Sequence, residues 1–162
     1  MSDDMPVPMI ERVRRFHADY ADALNQERYA QWPDFFTEDA CDYRIVSREN
    51  HDLNLPAPLM GCYSHGMVKD RVAMLVKGTL TFRRQYLRHF IDNVCIDPQA
   101  DGSVRGRANL LVMQSDLEGN SSIYMVGRYE DCFVDTPAGL RLRERLVIID
   151  SFSIDNMLAV PL

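Results

Sequence analysis

The chain has 162 residues, 46% hydrophobic and 26% charged, with a net charge of −6 at neutral pH. A chain this long forms one domain, residues 1–162, and can bury a core without disulfide or metal; its acidic balance argues against nucleic acid, whose binding needs cationic side chains on phosphates. No apolar run reaches the ~18 residues of a membrane span, and the opening MSDDMPVPMI lacks the basic stretch of a secretory signal, which points to the cytoplasm.

Residues Met1–Pro8 read as a flexible lead into the first helix. From Met9 to Leu24, Ile10, Val13, His17, Tyr20, Ala21 and Leu24 recur at helical spacing, an amphipathic helix entered through Pro6 and Pro8. A short second helix is predicted over Tyr29–Phe36. Trp32 and Phe36 share a face there, and Pro33 fits only in the first turn. TEDA then breaks the pattern and CDYRIVSR alternates as a strand. Glu49 to Gly61 has two prolines and no period, and reads as a loop suited to a lid or a partner contact. Ser64 caps a helix running to Lys77, with Met67, Val68, Arg71, Val72, Leu75 and Val76 as its stripe and Gly78 as its stop. Four long strands follow: Arg88–Ile96, Val104–Leu117, Ile123–Val134 and Leu140–Phe152, several of about twelve residues, twice the usual length. Gly106 and Gly127 inside them predict bulges or bends. Helices first and an antiparallel meander after predict an α+β fold, N-terminal helices packed on a long, strongly curved sheet.

The cysteines Cys41, Cys62, Cys95 and Cys132 are spaced too evenly for a disulfide framework. Cys62-Tyr-Ser-His65 has the spacing of half a Rieske cluster signature. Tyr43 stands where the other half needs a histidine after Cys41, so a cluster in this chain is not expected. His17, His51 and His65 are scattered and supply no two-histidine, one-carboxylate set.

In LRLRERLVIID, alternation puts Leu140, Leu142, Glu144, Leu146, Ile148 and Asp150 on one face and Arg141, Arg143, Arg145, Val147 and Ile149 on the other. Taking the first face as the inner one, Glu144 points in among leucines, either as a general base or as half of a buried ion pair. His89 in YLRHF is either an acid–base group or a hydrogen-bonded core histidine. The arginines Arg83, Arg84, Arg88, Arg141, Arg143 and Arg145 form either solvated faces or a contact surface for an acidic partner.

The series QWPDFFTEDACDYRI, REN, KDRV, YLRHF, GRYED, TPAGLRLRERLVIIDS and the VPL ending is similar to the small (beta) subunit of Rieske non-heme iron ring-hydroxylating oxygenases. The branch it resembles acts on aromatic carboxylates such as salicylate, terephthalate, anthranilate or halobenzoate. The resemblance runs from Val13 to Leu162. It implies the cone-shaped cystatin-like fold of nuclear transport factor 2 and ketosteroid isomerase. It also implies a structural subunit without metal or catalytic residues of its own. Its partner is then a large subunit carrying the Rieske [2Fe–2S] cluster and mononuclear iron in an α3β3 assembly, with beta–beta contacts around a threefold axis. On that reading Trp32, Pro33, Phe35 and Phe36 mark a structural corner, and the arginines are interface candidates. The rival is a stand-alone isomerase or dehydratase of the same fold using Glu144, His89, Tyr43 or Asp34 inside the cone. An open pocket distinguishes the rival from a subunit whose interior is filled by Met113, Met125 and Phe133.

Overall fold

A computed structural model describes residues 6–78, 84–150, 154 and 158–162. Most of the expected flexible lead, Arg83, and residues 151 and 152 at the end of the last predicted strand lie outside the described residues.

Helix α1 spans Met9–Asn25 and buries Val13, His17, Tyr20, Ala21 and Leu24 of its predicted stripe, with Phe16 added to that face and Ile10 only half-buried. A 3-10 helix follows at Tyr29–Phe35. Pro33 lies past its first turn, which corrects the expectation that it fits only there; with no N–H it donates no hydrogen bond in either kind of helix. The chain continues as β1 (Asp42–Ser47), α2 (Arg48–Asp52), β2 (Met60–Cys62) and α3 (His65–Val76). The segment read as one loop therefore begins as a helix, with Ser47 accepting the Asn50 N–H, and ends as a strand. The Ser64 hydroxyl caps α3 by accepting the Met67 N–H. Only Val68, Val72 and Leu75 of the predicted stripe are buried, while Met67 and Val76 face solvent.

Four long strands complete the fold: β3 (Tyr86–Pro98), β4 (Val104–Ser115), β5 (Ser121–Thr136) and β6 (Gly139–Ile149). The sheet has six strands in the order β2-β1-β6-β5-β4-β3. β3 to β6 form the expected antiparallel meander, but β1 runs parallel to β6, so the sheet is mixed. Such a pairing needs a crossover, which α3 and the meander provide. α1 packs against both β3 and β6, and one core joins it to the 3-10 helix, α3 and the sheet.

The glycines do not mark the bulges. Register shifts fall at Asp92/Cys95, Val112/Met113 and Cys132/Phe133 instead. Gly127 allows a close approach: a Cβ there would lie 2.2 Å from the Ile148 carbonyl oxygen. At Gly106 a Cβ would lie 2.7 Å from the Phe133 ring.

Candidate functional site

The third register shift decides the interior. Cys132 pairs with Glu144, but Phe133 pairs with Leu142, so Arg143 is the extra residue in β6. An inserted residue exchanges the faces of everything beyond it. Leu140 and Leu142 are buried before the bulge; Arg145, Val147 and Ile149 are buried after it. The expected inward Glu144 is therefore corrected. It lies on the outer face, where it accepts a hydrogen bond from Arg105 at 2.9 Å. Arg145, expected among the interface arginines, points inward and is 1% exposed.

Arg145 makes a bidentate pair with Asp131, its cross-strand neighbour on β5, at 2.9 and 2.8 Å. Its guanidinium lies between two rings, 3.8 Å from the centroid of Tyr129 and 4.2 Å from that of Tyr20. It also donates to His17 Nδ1 at 3.2 Å. Arginine has no acceptor, so that nitrogen accepts and the neutral ring carries its proton on Nε2. His17 is accordingly lowered to about 2, by burial first and Arg145 second. Its Nε2 is 3.8 Å from Asp131, too far for a hydrogen bond. Burial opposes the charge on Arg145, but Asp131 outweighs it and the pKa is raised. Burial raises the Asp131 carboxyl against the pull of Arg145. The tyrosines Tyr20, Tyr43 and Tyr129 are all raised, by burial first.

Beside this pair runs a chain of hydrogen bonds. Trp32 Nε1–H donates to Tyr20 Oη at 2.9 Å, and Tyr20 donates to the Leu162 carbonyl at 3.1 Å. Tyr43 donates to the same carbonyl at 3.3 Å and accepts the Leu162 N–H at 2.9 Å. Trp32 meets Tyr43 and Phe36 edge-on at 5.0 and 5.3 Å between centroids. Phe35 stands edge-on to Phe16 and Tyr20. The Pro33 carbonyl lies 3.0 Å from His65 Nε2 at the start of α3, and Phe36 bridges to Leu142 of β6. The aromatic segment thus joins α1, α3 and the sheet. Trp32→Phe keeps the ring contacts and leaves the buried Tyr20 hydroxyl one donor short. It is expected to lose about 1–3 kcal/mol in urea unfolding; an unchanged midpoint would show that the indole N–H contributes nothing.

His89 is buried, and Asn25 Oδ1 accepts both its backbone N–H at 2.8 Å and its Nδ1–H at 2.9 Å. Burial lowers it to about 4, against the Pro161 carbonyl and with Arg145. Asp34 is exposed in a cleft of about 570 Å³ with Arg12, Arg15, Asp19 and Arg141. Of the rival's acid–base set, only Tyr43 and His89 are interior, each engaged in hydrogen bonds. Met125 and Phe133 fill the interior, whereas Met113 is half-buried on the outer face, opposite Arg88.

The remaining arginines differ. Arg84 approaches Glu27 at 3.7 Å and Tyr86, and Arg143 donates to Cys132 Sγ at 3.1 Å. Arg88 is exposed. Cys62 Sγ approaches the Met67 carbonyl and His65 the Pro33 carbonyl, so this pair does not converge on a metal. Among the described residues, no cluster of three or more His, Cys, Asp or Glu could hold one. Asp131, His17, Tyr20 and Tyr129 went unrecognised in the sequence as members of one network. Once the bulge is known, the acid in GRYED faces the last arginine of LRLRER, and that pairing is the signal that could have found them.

The chain matches the sequence profile of the family described as ring hydroxylating beta subunit over residues 19–156. It is 37% identical to the anthranilate 1,2-dioxygenase small subunit of Burkholderia cepacia, covering 88% of each chain. It is 30% identical to the terephthalate 1,2-dioxygenase terminal oxygenase component subunit beta 2 of a Comamonas species, covering 93% of this chain and 97% of that one. A solved beta subunit assigned to an aromatic-ring-hydroxylating dioxygenase of Novosphingobium aromaticivorans superposes with a TM-score of 0.85 at 34% identity, covering 95% and 97% of the two chains.

Proposed function

Because the chain belongs to the ring-hydroxylating beta subunit family, we propose that it holds together an oxygenase that adds oxygen to an aromatic acid, leaving redox chemistry to a large subunit. The Rieske [2Fe–2S] cluster and the mononuclear iron belong to that partner in this reading. The assembly is α3β3 and cytoplasmic, with beta subunits meeting around a threefold axis.

The observation that carries the reading is how the interior groups are engaged. A carboxylate held by both nitrogens of an arginine is a poor base. A histidine lowered to about 2 stays neutral through any physiological pH. Tyrosines raised by burial are slow to give up a proton. Asp131, Arg145, His17 and the aromatic rings therefore act as a strut between α1 and the sheet. The isomerase or dehydratase reading needs convergent acid–base groups, and Glu144 and Asp34 lie outside the interior.

The test is co-expression with the large subunit from the same source, recognised by its C-x-H and C-x-x-H motifs. The two chains are expected to co-purify at low salt, with aromatic-acid oxygenation only in the complex. Failure to co-purify, or turnover by this chain alone, would sink the proposal.

A further inference from the structure

Residues 158–162 run into the interior, where Ala159, Pro161 and Leu162 are buried. Among the described residues, no backbone–backbone hydrogen bond ties this stretch to the sheet or to a helix. Side chains hold it instead. Tyr20 and Tyr43 both donate to the Leu162 carbonyl, at 3.1 and 3.3 Å, and Tyr43 Oη accepts the Leu162 N–H at 2.9 Å. The Leu162 side chain is fully enclosed within the core. Two hydroxyls aimed at one carbonyl oxygen, with an acceptor for the adjoining N–H, make a seat for a single amide group beside an apolar pocket.

The stretch fills this seat imperfectly. His89 gives its Nδ1–H to Asn25, so its Nε2 is a bare acceptor. The Pro161 carbonyl beside that ring is a second acceptor, and Pro161 has no N–H to offer. His89 Nε2 is accordingly buried without a hydrogen-bond partner, as is the Tyr129 hydroxyl. An interior acceptor left unmatched favours any occupant that brings it a donor.

We propose that Tyr20, Tyr43 and His89 form a binding site for a small amide carrying an aromatic or branched apolar group, and that residues 158–162 occupy it as a displaceable strap. The two hydroxyls sit on α1 and β1, so the seat persists when the strap leaves. No strand pairing is lost either, and local opening of this kind needs far less than global unfolding. A primary amide matches the site: its oxygen meets the two tyrosines, one N–H meets Tyr43 Oη, and the other is the donor that His89 lacks. A carboxylate offers no N–H and leaves both acceptors unmatched. The proposal goes beyond the subunit reading and does not depend on it.

Benzamide is the probe and Trp32 the reporter, since this single tryptophan donates to Tyr20. Leu162→Gly empties the apolar pocket and weakens the strap, with thermal melts confirming that the variant is folded. Because affinity scales with the fraction of open sites, the variant is expected to bind benzamide at least about tenfold more tightly than wild type. Adding Tyr43→Phe removes that gain, and ethylbenzene, which fills a cavity but offers no amide, shows none. Equal affinities for wild type and variant, an equal gain for ethylbenzene, or a gain that survives Tyr43→Phe overturns the proposal. Amide hydrogen exchange on the wild-type chain tests it without a substitution. Residues 158–160 and 162 are expected to exchange ahead of β4 and β5, and faster still with benzamide present. Exchange only together with those strands overturns the proposal, even where Leu162→Gly does not fold. These readouts need no large subunit, so their failure is distinct from the loss of co-purification that would sink the subunit reading.

Discussion

Arg145→Leu is expected to cost about 3–5 kcal/mol of folding stability, because it leaves the Asp131 carboxylate buried without its counter-ion. Both side chains are fully enclosed, so water cannot take over the lost hydrogen bonds. The substitution also removes the cation stacked between Tyr20 and Tyr129 and the donor that holds His17. Asp131 then takes up a proton rather than remain charged, since burial already raises its pKa. Urea unfolding measures the loss. The paired change Arg145→Met with Asp131→Leu is expected to recover most of it, as apolar replacements of buried ion pairs often do. If Arg145→Leu alone unfolds at the wild-type midpoint, the strut carries no weight. Recovery in the double variant together with intact co-purification would show that the pair serves stability and not assembly.

Acid is expected to destabilise the fold well above the range where ordinary carboxylates titrate. His17 and His89 sit at about 2 and about 4 in the folded chain, both through burial, against about 6.5 for an unfolded histidine. Between those values the unfolded state binds more protons, so stability rises with pH and falls as pH drops below about 6.5. Each histidine contributes up to about 1.4 kcal/mol per pH unit. Together they weaken the fold by about 4 kcal/mol between pH 7.5 and pH 5. His89 stops contributing near its folded value of about 4, whereas His17 continues towards about 2. Urea midpoints across pH 4.5–7.5 check this slope. His89→Gln, which keeps a side-chain amide to meet Asn25, is expected to halve it. A flat profile in the wild type would mean that these rings are hydrated and titrate normally.

Much of this architecture is legible in one dimension. Periods of 3.6 and 2 locate α1, the helix capped by Ser64 and the four long strands, because each pattern reflects which side of a single element meets the core. That Trp32, Pro33, Phe35 and Phe36 mark a corner is an expectation carried by the family resemblance, and their contacts with α1, α3 and the sheet come from the structure. The motif series points to the ring-hydroxylating beta subunit family. The parallel pairing of β1 with β6 escapes such reading, because it depends on where the chain returns after the whole meander.

Residue order by itself settled α1, α3, the long strands and the family. Only the tertiary structure decided which arginine is buried and which acid meets it. The physical reason is the register shifts: an extra residue at Arg143 or Tyr124 exchanges the two faces of a strand. Where that residue is inserted is set by the neighbouring strand, and alternation within one strand cannot record it.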